Sequence, residues 1–154
     1  MPVSFRGRFE TKLDPKGRLT LPAALRGSLE GGEIFITNSL HQGLACLDLY
    51  NLGAWNRLEE RIQKLPAFHS EVQTFSRFYL SGGQIAEIDG QNRFLIPQSL
   101  RSYAQLDADV VLVGMADKLE IWSAHLWNRV FKNLTLHFDS TIAKLAEIEK
   151  SGAA

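Results

Sequence analysis

The sequence predicts an α+β fold made of two tandem copies of one small β-hairpin module, interlocked around a single core and flanked by amphipathic helices. Three observations carry this. Asp14-Pro15-Lys16-Gly17-Arg18-Leu19-Thr20-Leu21-Pro22 realigns with Asp89-Gly90-Gln91-Asn92-Arg93-Phe94-Leu95-Ile96-Pro97 at a constant offset of 75. Apolar and polar residues alternate with the period of a half-buried strand before each of these motifs. A helical apolar stripe closes each copy, and strands this short cannot bury both faces alone.

The elements follow in order. Phe9, Thr11 and Leu13 alternate with Arg8, Glu10 and Lys12, so a strand over Arg8–Leu13 runs into the first turn. It is expected back out as Arg18–Leu21; the second copy gives Ile85–Ile88 and Arg93–Ile96. Pro15 fixes φ and Gly17 supplies a positive φ in the first turn, with Gly90 and Asn92 in that role in the second. Pro22 and Pro97 open short helices, the first expected to end at Gly31-Gly32. Apolar strands follow at 34–37 and 110–113, then at 45–50 and 119–122. Four extra residues around His41–Leu44 shift the repeat offset to 72, where Trp55-Asn56-Arg57 meets Trp127-Asn128-Arg129. Trp55, Leu58, Ile62 and Leu65 mark one amphipathic helix. Leu126, Val130 and Leu134 mark the other, with Ser123 as its N-cap. Pro66 ends the first, and Ser70-Glu71-Val72-Gln73 has the spacing of a capping box opening a connecting helix. A separate last helix is expected from Ser140 to Lys150, before a loose tail. The organisation reads as a first repeat 5–65, a connecting helix 66–79, a second repeat 80–134, and a C-terminal helix and tail 135–154.

Composition excludes several classes. At 154 residues, 45% hydrophobic and 22% charged, the chain has the make-up of a globular protein. No apolar run reaches the roughly 20 residues of a membrane span, and no apolar stretch of signal-peptide type follows the start. Cys46 is the one cysteine, which suits a reducing cytoplasm. His41, His69, His125 and His137 match no metal-ligand spacing, and no nucleophile or phosphate-loop motif is present. No cofactor, metal, small-molecule substrate or enzymatic activity is expected. The overall charge is zero, yet residues 1–26 hold six bases against two acids. A polyanion responds to such a local field and not to the total.

Asp14 and Arg18, like Asp89 and Arg93, bracket a turn at a spacing of four. A carboxylate at the first turn position accepts N–H groups two and three residues on. The arginine leaving the turn then either pairs with it in a planar fork or reaches a phosphate. Lys16 at the first tip, with Arg6, Arg8 and Lys12 on the incoming strand, favours DNA contact there, so Arg18, Lys16, Arg8, Arg6 and Lys12 are the candidate DNA-binding residues. The second tip, Gly90-Gln91-Asn92, is neutral; Asp14, Asp89 and Arg93 are therefore read as organising the turns. Trp55 and Trp127 read as core. Phe5, Phe9, Phe68, Phe75, Phe78 and Tyr79 read as core or subunit interface.

The segments "FRGRFETKLDPKGRLTLP" and "IDGQNRFLIP", each a D-x-x-x-R hairpin in a tandem repeat, resemble the MraZ family. That family stands in the AbrB-like, swapped-hairpin class of bacterial transcription factors. The resemblance spans about residues 5 to 134. It implies a pair of AbrB-like modules forming one intertwined, β-barrel-like core, in a cytoplasmic, nucleoid-associated protein. It further implies a ring-shaped homo-oligomer binding short direct repeats of double-stranded DNA in the division and cell-wall gene cluster promoter, typically as a repressor. The rival expectation is a ring-forming interaction scaffold with an incidental basic surface.

Overall fold

The computed structural model describes residues 4–29 and 32–152. Its elements are β1 (Arg8–Lys12), β2 (Arg18–Thr20), α1 (Ala23–Arg26), β3 (Glu33–His41), β4 (Leu44–Asn51), α2 (Leu52–Gln63) and α3 (Ser70–Phe75), the last running into a π-helical turn (Ser76–Leu80). Then come β5 (Gln84–Glu87), β6 (Arg93–Leu95), α4 (Gln98–Tyr103), β7 (Asp109–Gly114), β8 (Leu119–Ser123) and α5 (Ala124–Gly152). The fold is α+β. Six strands form an antiparallel sheet in the order β1-β7-β8-β4-β3-β5, and β2 pairs with β6 in a separate two-stranded ribbon.

The two arms of each sequence hairpin pair elsewhere. They are joined at the turns, where the N–H groups of Asp14 and Asp89 donate to the Arg18 and Arg93 carbonyls, and in the first hairpin by a bridge between Leu13 and Leu19. β1 pairs with β7 of the other repeat, β5 with β3, and β2 with β6. The registers obey the repeat: Phe9 faces Leu112 as Gln84 faces Ile36, and Leu19 faces its own repeat mate Phe94. Asp48 likewise faces its mate Glu120 where β4 meets β8. A pseudo-two-fold axis therefore passes between Leu19 and Phe94 and between Asp48 and Glu120. Exchange follows from burial, because a three-residue strand covers its apolar face only against its counterpart.

One side of the large sheet packs on the ribbon. Leu19, Leu21, Phe94 and Ile96, with Leu25 and Leu100 from α1 and α4, bury against Ile34, Ile36, Leu47, Leu49, Leu112 and Ile121. The other side carries the long helices. Trp55 of α2 stacks on Phe35 at 3.9 Å between ring centroids, with Tyr50 and Tyr79 beside it. Leu126 and Val130 of α5 cover Val111, Val113 and Trp122. The repeat mates Asn51 and Ser123 cap these helices, accepting from the N–H of Ala54 and of Leu126 at 3.1 Å each.

Several expectations are corrected. α1 is a single turn stopped at Gly27, well short of Gly32; Gly31 lies outside the described residues. The strand expected at Ile85–Ile88 is displaced by one residue to Gln84–Glu87, with Ile88 N–H still donating in register to the Gly32 carbonyl at 2.7 Å just beyond its end. The capping box at Ser70 does not form: α3 begins at Ser70, whose hydroxyl turns to the Glu71 carboxylate at 3.0 Å. Only Asn92 takes positive φ in the second turn, +60°, while Gly90 does not. The two helices expected after Ser123 are one, Ala124–Gly152. No glycine or proline interrupts 134–140, and the Ser140 hydroxyl bonds back to the His137 carbonyl at 2.9 Å instead of capping a new start. Of the expected tail, Ser151 and Gly152 are helical, and 153–154 lie outside the described residues, as do 1–3.

Candidate nucleic-acid interface

The two turns are built alike. Asp14 Oδ1 accepts the N–H groups of Lys16 and Arg18 at 2.9 Å each, while Gly17 N–H goes to the Asp14 carbonyl at 2.9 Å. The carboxylate thus serves residues two and four on, not two and three. Gly17 holds φ +88°, which a β-carbon would strain. In the second turn Asp89 Oδ1 accepts from Gln91 at 2.8 Å and Arg93 at 2.9 Å, and Asn92 stands where Gly17 does. Both carboxyls are held below the usual carboxylate range, chiefly by the arginine backbone N–H bonding the ionised form; slight burial opposes this and the arginine side chains reinforce it.

Each arginine bonds its aspartate through Nε: Arg18 to Asp14 Oδ2 at 2.8 Å, Arg93 to Asp89 Oδ2 at 3.1 Å. Turn clamp and outward reach are therefore compatible, since one guanidinium nitrogen does the clamping and two remain. The turns are also tied together, Ile96 N–H donating to the Gly17 carbonyl and Leu21 N–H to the Asn92 carbonyl, both at 2.9 Å. Because Leu19 and Phe94 face the core, Arg18, Thr20, Arg93 and Leu95 face away from it on the ribbon. A two-stranded ribbon of this kind has the width to enter a DNA major groove.

The structure gathers Lys16 and Arg18 at one turn and Arg93 at the other. It does not gather the rest. Lys12 pairs with Asp109. Arg8 lies at the far end of β1, roughly 13 Å along an extended strand, with its guanidinium 4.7 Å over the Phe131 ring and 5.8 Å over Trp127. Arg6 precedes β1 and is exposed beyond it. Two arginines beside the ribbon were not singled out from the sequence: Arg101, whose guanidinium lies against Gly17 of the first turn, and its repeat mate Arg26, which donates to the Leu21 carbonyl at 3.1 Å. Their signal was in the repeat, where Leu25-Arg26 lies over Leu100-Arg101, but nothing local placed them beside the ribbon.

On the opposite side of the sheet, Cys46, Asp48 and Glu120 bring their donor atoms within 4.8 Å of one another. The cluster is closed by the protein's own cation: Lys118 Nζ lies 3.0 Å from Asp48 and 3.9 Å from Glu120, and the Tyr79 hydroxyl also bonds Asp48. Burial pushes the Cys46 thiol up, so it stays protonated. A groove of about 810 Å³ between β1 and α5 is lined by Arg8, Lys12, Asp109, Trp127 and Phe131 among others.

Comparison with known proteins decides the family. Residues 4–78 and 79–147 each match the family described as "MraZ protein, putative antitoxin-like". This chain belongs to the MraZ family. A relative from Heliobacterium modesticaldum named "Transcriptional regulator MraZ" is 37% identical over 145 residues, covering 94% of this chain and 99% of its own. One of the same name from Desulfitobacterium hafniense (strain DSM 10664 / DCB-2) is 46% identical over 124 residues, covering 80% and 83%. A solved structure, "The solution structure of PHS018 from pyrococcus horikoshii", covers 79% of this chain and 89% of its own at 15% identity and a TM-score of 0.36, too distant a likeness to bear on the fold. Among the described residues, no helix of this MraZ chain is long and apolar enough to cross a membrane.

Proposed function

We propose that this MraZ chain is a sequence-specific DNA-binding transcriptional regulator. In this reading it acts in the cytoplasm at the nucleoid, holding short direct repeats in the promoter of the division and cell-wall gene cluster and repressing it. The observation that carries the reading is the pair of Asx-type turns on one ribbon, each presenting an arginine clamped through Nε. Pre-organised guanidinium forks lose little freedom on engaging a phosphate or a guanine edge. Arg18 and Lys16 are the leading contacts. Arg6, Arg8 and Lys12 are further candidate contacts, set away from the turns along β1 and just before it, whereas Asp14, Asp89 and Arg93 organise the turns.

One tip reads little sequence, on the order of 1–3 kcal/mol per base pair. Repeated tips on a homo-oligomer raise avidity without new contacts. The proposed assembly is a ring of AbrB-like modules joined through the Phe68–Leu80 stretch. Phe68 is 93% exposed there, and Phe75 and Phe78 are more than a third exposed. α5 adds Leu136, Phe138, Ile142, Leu145 and Ile148, all exposed, which also suits an interaction scaffold.

A mobility shift with the chain's own upstream DNA against a shuffled sequence, at several salt concentrations, separates the two readings. The regulator shifts the upstream DNA preferentially, with affinity falling steeply as salt rises. Arg18→Ala weakens it by about 1–3 kcal/mol per site, and by more than Arg93→Ala. Equal, salt-insensitive affinity for both DNAs would leave the scaffold.

A further inference from the structure

We infer that Cys46, Asp48 and Glu120 form a site for one thiophilic divalent cation of the zinc class, set in the large sheet where the two repeats join. The inference is independent of the DNA-binding reading.

The donors come from both repeats. Cys46 and Asp48 lie two apart on β4 and so share a face, and Asp48 is paired in register with Glu120 of β8. One donor atom from each lies within 4.8 Å of the other two. Zinc holds a thiolate sulfur at about 2.3 Å and a carboxylate oxygen at about 2.0–2.2 Å, which sets its donors roughly 3.5 Å apart, within reach of small side-chain rotations. The repeat accounts for the choice of residues. At the offset of 72, Cys46 is the mate of Lys118 as Asp48 is of Glu120. The second repeat therefore brings an ammonium to the carboxylate pair, and the first brings a thiol to the corresponding place.

Lys118 closes this cluster on one side only. Asp48 is 0% exposed, and its Oδ2 takes both the Lys118 ammonium, at 3.0 Å, and the Tyr79 hydroxyl. Asp48 Oδ1 is buried with no hydrogen-bond partner. A bare buried carboxylate oxygen is costly, and a coordinated ion satisfies it. The β4–β8 register puts Lys118 and Cys46 on opposite sides of the Asp48–Glu120 pair, so Oδ1 is the oxygen left to the Cys46 side. Charge points the same way. Among the described residues Lys118 is the one cationic partner of Asp48 and Glu120, which leaves one negative charge on the pair. Coordination sends the Cys46 thiol proton to solvent and adds a second negative charge, and a divalent ion cancels both. A cavity of about 440 Å³ lined by Ser39, Asp48, Arg61, Tyr79 and Lys118 among others gives the ion a way in and leaves room for a water as fourth ligand. The sulfur donor selects zinc over magnesium or calcium, which take oxygen alone.

The test uses the full chain, chelator-treated and with its thiol reduced, titrated with cobalt(II) and then with zinc in competition. Cys46 is the one cysteine of the sequence, so a sulfur-to-cobalt charge-transfer band in the near ultraviolet can arise nowhere else. One equivalent of cobalt per chain is expected to give that band, zinc to abolish it and magnesium to leave it unchanged. Zinc is also expected to raise the urea midpoint. Cys46→Ala should lose both the band and the rise. Glu120→Gln keeps the Oε1 that accepts the Trp122 Nε1–H at 3.0 Å and removes the charge. It is expected to weaken zinc binding by at least the roughly 10- to 100-fold that losing an outer-shell partner costs. His137→Ala, at an exposed histidine, should leave band and midpoint as in wild type. The inference is overturned if the wild type gives no band, or if Cys46→Ala keeps the zinc-dependent rise. It is overturned equally if Glu120→Gln binds as tightly as wild type, which would make the thiol a lone ligand. The wild-type band and the Glu120→Gln affinity decide the matter even where Cys46→Ala folds poorly.

Discussion

Leu19 and Phe94 test the interlocked architecture at its centre. They face one another across β2 and β6, at 0% and 2% exposure, on the pseudo-two-fold axis. Leu19→Ala deletes most of a fully buried side chain between two strands that are cross-tied at both ends, so the site has little freedom to collapse. That places the loss toward the upper part of the usual Leu→Ala range, about 3–5 kcal/mol, with Phe94→Ala similar. Such a loss is a large fraction of the roughly 5–15 kcal/mol that holds a domain of this size. Leu95→Ala is the internal comparison: one residue along, 53% exposed on the outward face, it is expected to cost under about 1 kcal/mol. Because the side chains of 19 and 94 share one cavity, the double mutant should fall short of the sum. The assay is equilibrium urea unfolding at fixed protomer concentration, followed by far-ultraviolet circular dichroism and by tryptophan fluorescence. Trp55 reports on the first repeat's helix and Trp122 on the second repeat's strand, so both probes should move together in one transition. Two resolved transitions, or a Leu19→Ala loss no larger than that of Leu95→Ala, would refute the shared core.

Two further predictions concern charge. The depressed carboxyls of Asp14 and Asp89 contribute stability that is present above the unfolded carboxylate range and lost as pH falls through their folded values, so the wild type should weaken below about pH 4. The double variant Asp14→Asn, Asp89→Asn should show a shallower acid loss in thermal melts from pH 2 to 7; an unchanged acid limb would remove the turns from the cause. At the buried seam, burial works against the charge of Lys118, but the Asp48 carboxylate and its hydrogen bond hold the lysine above its ordinary range. Lys118→Met leaves Asp48 buried without its cation and is expected to cost about 3–5 kcal/mol by urea unfolding at pH 7, with Lys118→Met, Asp48→Leu recovering most of it. A neutral single variant would sink that account.

The repeat, the positions of the strands, the turn residues and the caps at Ser123 were legible in the amino-acid order, because each rests on contacts within a few residues. Alternation marks a strand, an aspartate four before an arginine marks a turn, and a hydroxyl three before a helical N–H marks a cap. The same locality explains the misreadings. Ser70 and Ser140 carry the same type of hydroxyl as Ser123, and only the surrounding backbone decides that one turns to Glu71 and the other to a carbonyl within a continuing helix. Which strand each arm pairs with was settled by tertiary structure alone, since hydrogen-bonding edges are identical and the choice belongs to the burial of Leu19, Phe94 and their neighbours as one core. The basic surface divides in the same way. Lys16 and Arg18 share a turn by sequence proximity. The counter-charge on Lys12, the aromatic rings beneath Arg8 and the arrival of Arg101 at Gly17 depend on residues 84 to 123 positions away, which only the folded chain brings within a few ångströms.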